Sequence, residues 1–161
     1  MMKALLVSLF VATPIIWGQL PPATPERPCR EVVSLFVPQF IAGVPTTELE
    51  RVEVRKCDAK TSERLQLVAW ERKKQAPSLV VDTSDFTVTQ VAMLGHVFVI
   101  ETTGGPRDQV YVILYEAGRP KLAVQRVTKS RAQITTDEKS IRIKIPNTWS
   151  GKSELFSFPV D

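Results

Sequence analysis

The chain has 161 residues, with 21 Lys and Arg against 17 Asp and Glu, a formal net charge of +4, one His and two Cys. So small a basic excess is far from a nucleic-acid-binding signature, and the length is enough for one domain with a sizeable core. One His restricts imidazole catalysis to a single position, and two Cys without further Cys or His ligands cannot complete a zinc site.

Residues 1–18 read as a secretory signal peptide. Lys3 supplies the positive start, and the uncharged run from Ala4 to Trp17 supplies the apolar core. The run is shorter than the roughly 20 apolar residues a membrane-spanning helix needs, and Pro14 interrupts it. Cleavage after Gly18, with Ile16 at the −3 position, makes Gln19 the expected mature N-terminus and leaves 143 of the 161 residues. Residues 19–28 hold Pro21, Pro22, Pro25 and Pro28, so they read as an extended leader without helix.

From Cys29 onward the chain shows short apolar runs with period-two alternation, frequent turn signals and no helical spacing, which predicts an all-β fold over 29–161. Cys29 and Cys57 are an even pair in an exported chain and predict one disulfide, stabilising by about 3.5 kcal/mol through loop closure. Strands are expected over 31–37, 49–57, 65–72, 78–82, 86–94 and 97–102, with Gly95 and His96 forming a type II′ turn between the last two. The bridge and the strands agree, because an antiparallel hairpin places the start of the first strand beside the end of the second.

After Gly104, Gly105 and Pro106, residues 109–115 are apolar on both faces, as a central strand covered on both sides requires. Residues 116–120 form a compact turn and 121–127 return as the partner strand. The chain closes with strands over 133–136, 140–145 and 154–158. In the middle one, Ile141, Ile143 and Ile145 alternate with Arg142 and Lys144, giving one buried and one wet face. The expected architecture is an antiparallel β-sandwich or partly open barrel of about ten short strands in a single domain.

Catalytic patterns are sparse. Gly-x-Ser-x-Gly, Gly-x-Gly-x-x-Gly and Gly-x-x-x-x-Gly-Lys-Ser/Thr are all missing from the sequence. His96 sits in a turn, where a side chain is poorly braced for catalysis. Asp82 and Asp85 are the one carboxylate pair beside an aromatic, Phe86, that suggests glycoside hydrolysis, although Asp82-Thr83-Ser84-Asp85 is also ordinary turn composition. Trp70, Trp149, Tyr111 and Tyr115 are the large aromatics available for stacking. Trp70 is expected in the core, and Trp149, in the loop 146–152, is the better candidate for an exposed binding contact, against the more frequent fate of a loop Trp tucked back over the sheet.

Charge is uneven along the chain: residues 19–106 hold 10 Lys and Arg against 11 Asp and Glu, and residues 107–161 hold 10 against 6. Arg126, Lys129, Arg131, Arg142 and Lys144 in the basic half are the candidate contacts for an anionic surface or another envelope protein. The functional expectation is a secreted or periplasmic binding or structural module that needs no metal or other cofactor, binds no nucleic acid and keeps no membrane span after cleavage. The rival is a small secreted hydrolase of an extracellular polymer built on Asp82 and Asp85.

Overall fold

The computed structural model describes residues 28–37, 40–41, 44–45, 48–58, 62–146 and 151–160, and every element in it is a β-strand. The predicted signal peptide and most of the leader lie outside the described residues, as does Trp149.

Three antiparallel sheets carry the fold. The first is ordered β1-β4-β5-β6 and consists of β1 (Cys29–Phe36), β4 (Leu49–Asp58), β5 (Glu63–Glu71) and β6 (Leu79–Asp82). The central sheet runs β10-β9-β8-β7, from β7 (Thr87–Leu94), β8 (Val97–Thr103), β9 (Asp108–Glu116) and β10 (Arg119–Thr128). The third is the meander β11 (Gln133–Thr136), β12 (Ser140–Pro146) and β13 (Ser153–Pro159). Between β1 and β4 the two-residue strands β2 (Phe40–Ile41) and β3 (Val44–Pro45) pair with each other, an element the sequence pattern is too short to show.

Layering follows from side-chain alternation. On β8 and β9, Phe98, Ile100, Tyr111 and Ile113 point to one side and join Val52, Val54, Leu65, Leu67 and Ala69 of the first sheet in one core. Val97, Val99, Val110 and Val112 point to the other side and join Ile141, Ile143 and Ile145 of β12 in a second core. The central sheet is thus apolar on both faces, as residues 109–115 predict, and the two-sheet sandwich extends to three layers. Full burial of each such side chain is worth about 2 kcal/mol.

Local chemistry fixes the hairpins. Gly95 has φ of 54°, which suits the first position of the predicted turn, and a Cβ there would collide with Val160 Cγ1. Ala117 and Gly118, with φ of 51° and 79°, make a tighter turn than expected, so Glu116 pairs directly with Arg119 and Pro120 lies inside β10. Proline is tolerated there because β10 is an edge strand. Cys29 and Cys57 are directly opposed in the β1–β4 register, 4.1 Å apart at Cα, and form the predicted disulfide.

Gly104 lies where the chain leaves β8, and a Cβ on it would come within 2.7 Å of Asp85 Oδ1 and 2.8 Å of Asp85 Cα. Replacing Gly104 by Ala should therefore push the 83–85 segment, with its buried Thr83 and Asp85, away from the central sheet and lower stability by about 1–3 kcal/mol. Urea unfolding of Gly104→Ala measures this, and an unchanged midpoint contradicts the close packing.

Candidate functional site

The outer face of the first sheet carries the most organised set of polar and aromatic groups. With Val52 and Val54 turned into the core, alternation sends Arg51, Glu53 and Arg55 of β4 outward. With Leu65, Leu67 and Ala69 inward, β5 sends Arg64, Gln66, Val68 and Trp70 outward. Trp70 is paired with Arg51 in the β4–β5 register, and the guanidinium carbons of Arg51 and Arg55 lie 4.7 Å and 5.1 Å from its ring centroid.

Glu53 fixes both arginines. It is 4% exposed and accepts Arg51 Nε at 2.5 Å and Arg55 Nε at 2.8 Å, while Arg51 also reaches Glu50 at 2.8 Å. Burial pulls the Glu53 pKa upward, but hydrogen bonds from Arg51 and Arg55 outweigh it and hold the carboxyl below its usual range. Val68 on this face is 1% exposed.

Beside this cluster is a hollow of about 1150 Å³, lined by Arg55, Arg64, Gln66, Trp70, Pro77 and Asp82 and by the disulfide. Gln66 Nε2 donates to Asp82 Oδ1 at 2.9 Å. Arg64 Nη1 donates to the Ser84 carbonyl at 2.6 Å and its guanidinium lies 5.3 Å from the Phe86 ring centroid. The hollow therefore presents held guanidinium, amide and carboxylate groups around apolar surface.

Asp82 and Asp85 do not converge. Asp82 faces the hollow, whereas Asp85 is 2% exposed between the first and central sheets, where it accepts from Thr102 Oγ1 and, at 3.0 Å, from Gln109 Nε2. Tyr111 Oη lies 3.4 Å from Asp85 Oδ2, and burial followed by the Asp85 charge pushes its pKa far above the usual tyrosine value. At the opposite end of this interface, Glu71 Oε1 accepts Tyr115 Oη at 3.3 Å and Glu71 also binds Lys74 and Ser78. Tyr111 and Tyr115 are therefore braces between layers, while Trp70, expected in the core, lies half-buried on the outer face because its neighbours Ala69 and Glu71 take the inward positions.

Glu101 is the deepest carboxylate, 0% exposed on the side of β8 that faces the third sheet. Its Oε1 accepts the Ala132 N–H at 2.7 Å, its Oε2 has no hydrogen-bond partner among the described residues, and Arg131 Nε lies 3.8 Å from Oε2. Burial, and after it the charge of Asp108, raise its pKa against the opposing pull of the Ala132 N–H and Arg131.

The five basic residues singled out from the sequence are distributed over different surfaces. Arg126 sits between the central and third sheets, 3.0 Å from Glu154, and Arg131 is hydrogen-bonded to the Thr89 carbonyl at 3.0 Å. Arg142 and Lys144 share the outer face of the third sheet, where Arg142 pairs with Asp137 at 3.2 Å. Lys129 and Lys144 form no ion pair among the described residues. His96 is half-buried at the β7–β8 turn. Sequence reading overlooked Arg51, Glu53, Arg55 and Gln66; the alternating run Arg51-Val52-Glu53-Val54-Arg55 was the available signal, and recognising it required the β4–β5 register.

No protein-family model, curated protein or solved structure matches the chain. The hollow on the first sheet is defined by its own chemistry. Its groups suit hydrogen bonding and stacking, and the one suggestive carboxylate pair is divided between two faces of a sheet.

Glu53 and Glu101 should respond oppositely to neutralisation. The depressed Glu53 pKa gives stability that is present above the unfolded value and lost as pH falls through the folded pKa. The raised Glu101 pKa gives stability that is present at low pH and lost as pH rises through the folded pKa. At neutral pH, Glu53→Gln should lower the denaturation midpoint and Glu101→Gln should raise it, with both differences shrinking toward zero in acid. Unfolding curves across pH check this, and shifts of the same sign contradict it.

Proposed function

We propose that the protein is an exported, non-catalytic binding module that engages a neutral, hydroxyl-rich ligand of the saccharide class at the hollow on its first sheet. The observation that carries the reading is the held arrangement of Arg55, Gln66, Asp82 and Trp70 around that hollow. Planar donors and acceptors fixed before the ligand arrives lose little freedom on binding, and an indole supplies apolar area beside them.

Charge balance favours an uncharged ligand. Glu53 is set between Arg51 and Arg55, and Asp58 and Asp82 line the same hollow as Arg55 and Arg64. A polyanion fits the molecule less well, since Arg126, Arg131 and Arg142 each have an acidic neighbour and face different surfaces. Export is supported by the apolar, uncharged run after Lys3 and by the Cys29–Cys57 disulfide, a bridge favoured in oxidising compartments. Secretion or a periplasmic location follows as part of the same proposal. Hydrolysis by Asp82 and Asp85 is disfavoured, because Asp82 lines the hollow while Asp85 is 2% exposed between the first and central sheets.

The exported protein, whose N-terminus should sequence as Gln19, should retain neutral glycans on an array, and Arg55→Ala or Gln66→Ala should weaken retention about tenfold or more. Lys144→Ala, on the far sheet, should leave it unchanged. Retention of acidic glycans alone, or variants of the hollow that bind like the unaltered protein, would overturn the proposal.

A further inference from the structure

Six strand edges bound the three main sheets: β1 and β6, β7 and β10, β11 and β13. An open edge is a template for another strand, and proteins blunt such edges by bulging or shortening them. β1, β7 and β10 each carry a register break, at Val32, Thr89 and Ala123 respectively. The breaks on β1 and β7 both line one groove of about 570 Å³ between these two strands, so neither edge there is straight. β6 and β11 are only four residues long. β13 differs: it is seven residues long, and its pairing with β12 runs without a break from Ser153 to Pro159.

The register also identifies the groups of β13 that no described strand pairs. Val160 N–H donates to the Lys139 carbonyl at 2.8 Å, so the hydrogen-bonded pairs with β12 fall on Phe158, Phe156 and Glu154. The N–H and C=O groups of Ser153, Leu155 and Ser157 consequently point to the open side. Leu155 is 71% exposed, the highest value among the exposed large hydrophobic side chains described. Glu154, the one charged residue of β13, is paired with Arg126 at 3.0 Å.

We infer that β13 joins β13 of a second copy in antiparallel register about a two-fold axis through Leu155, extending the meander into a six-stranded sheet across the dimer. In this register Ser153 faces Ser157 of the second copy and Leu155 faces its own counterpart, so each outward N–H and C=O of these three residues finds a partner, in about six main-chain bonds. The most exposed leucine is covered by the same leucine, at the roughly 5 Å side-chain spacing of directly opposed residues. Glu154 falls opposite Phe156 of the second copy, so no like charges meet. A foreign strand would match the backbone alone; a second copy matches the backbone, the exposed leucine and the charge pattern together.

Sedimentation equilibrium of the exported chain at micromolar concentration tests the inference, with a mass twice that of the monomer expected. Ser157→Pro removes an N–H that points to the open side and leaves the bonds to β12 in place, so it should yield a monomer whose unfolding midpoint matches that of the unaltered chain when both are measured too dilute for the dimer to form. Leu155→Lys sets two ammonium groups against each other at the axis and should also yield a monomer; its exposed side chain lets it decide the matter if the proline variant fails to fold. A monomeric unaltered chain, or a dimer that survives Leu155→Lys, would overturn the inference.

Discussion

Every layer of this protein depends on the central sheet being apolar on both faces. Val97, Phe98, Val99 and Ile100 on β8, and Val110, Tyr111, Val112 and Ile113 on β9, are each 0–1% exposed, so two neighbouring strands need a cover on each side. A sheet with one wet face would be satisfied by a single partner. Here the first sheet seals the Phe98 and Tyr111 side, and the meander seals the Val97 and Val110 side with its alternating isoleucines. Removing either cover would expose a contiguous apolar surface, so the three layers are interdependent.

That requirement dictates where polar chemistry can sit. Within the interior its carboxylates are engaged, Asp85 with Thr102 and Gln109, and Glu71 with Tyr115, Lys74 and Ser78, at the two ends of the first interface. Glu101 is the carboxylate left incomplete, fully buried with one oxygen lacking a hydrogen-bond partner among the described residues, and it fastens the β10–β11 connection through Ala132 at the expense of a destabilised charge. The remaining polar groups are displaced to the outer faces of the first and third sheets. On the first they are held by Glu53 and the disulfide register, which makes that face a fixed surface and the natural place for recognition.

Much of the fold was legible because alternation is a local signal. Ile141, Ile143 and Ile145 set against Arg142 and Lys144 mark β12 without any knowledge of its neighbours, and the doubly apolar 109–115 run announces a central strand. The Cys29–Cys57 bridge was legible for a related reason, since strand order and pairing both place the two residues opposite each other. The site was much less legible. Arg51, Arg55 and Trp70 come together through cross-strand register, and Asp82 and Asp85 separate because the chain crosses from one face of the first sheet into the interior between them. Trp70 illustrates the same limit: a large aromatic in a strand looks like core until the inward parity of Leu65, Leu67 and Ala69 is known.

Residue-resolved amide hydrogen exchange tests the double cover most directly. If both faces of the central sheet are sealed, the amides of residues 97–100 and 110–113 should exchange only through global unfolding and be the slowest in the molecule, while those of the edge strands β1 and β6 exchange much faster by local opening. Exchange in β8 and β9 as fast as in β1 and β6 would contradict a central sheet covered on both faces.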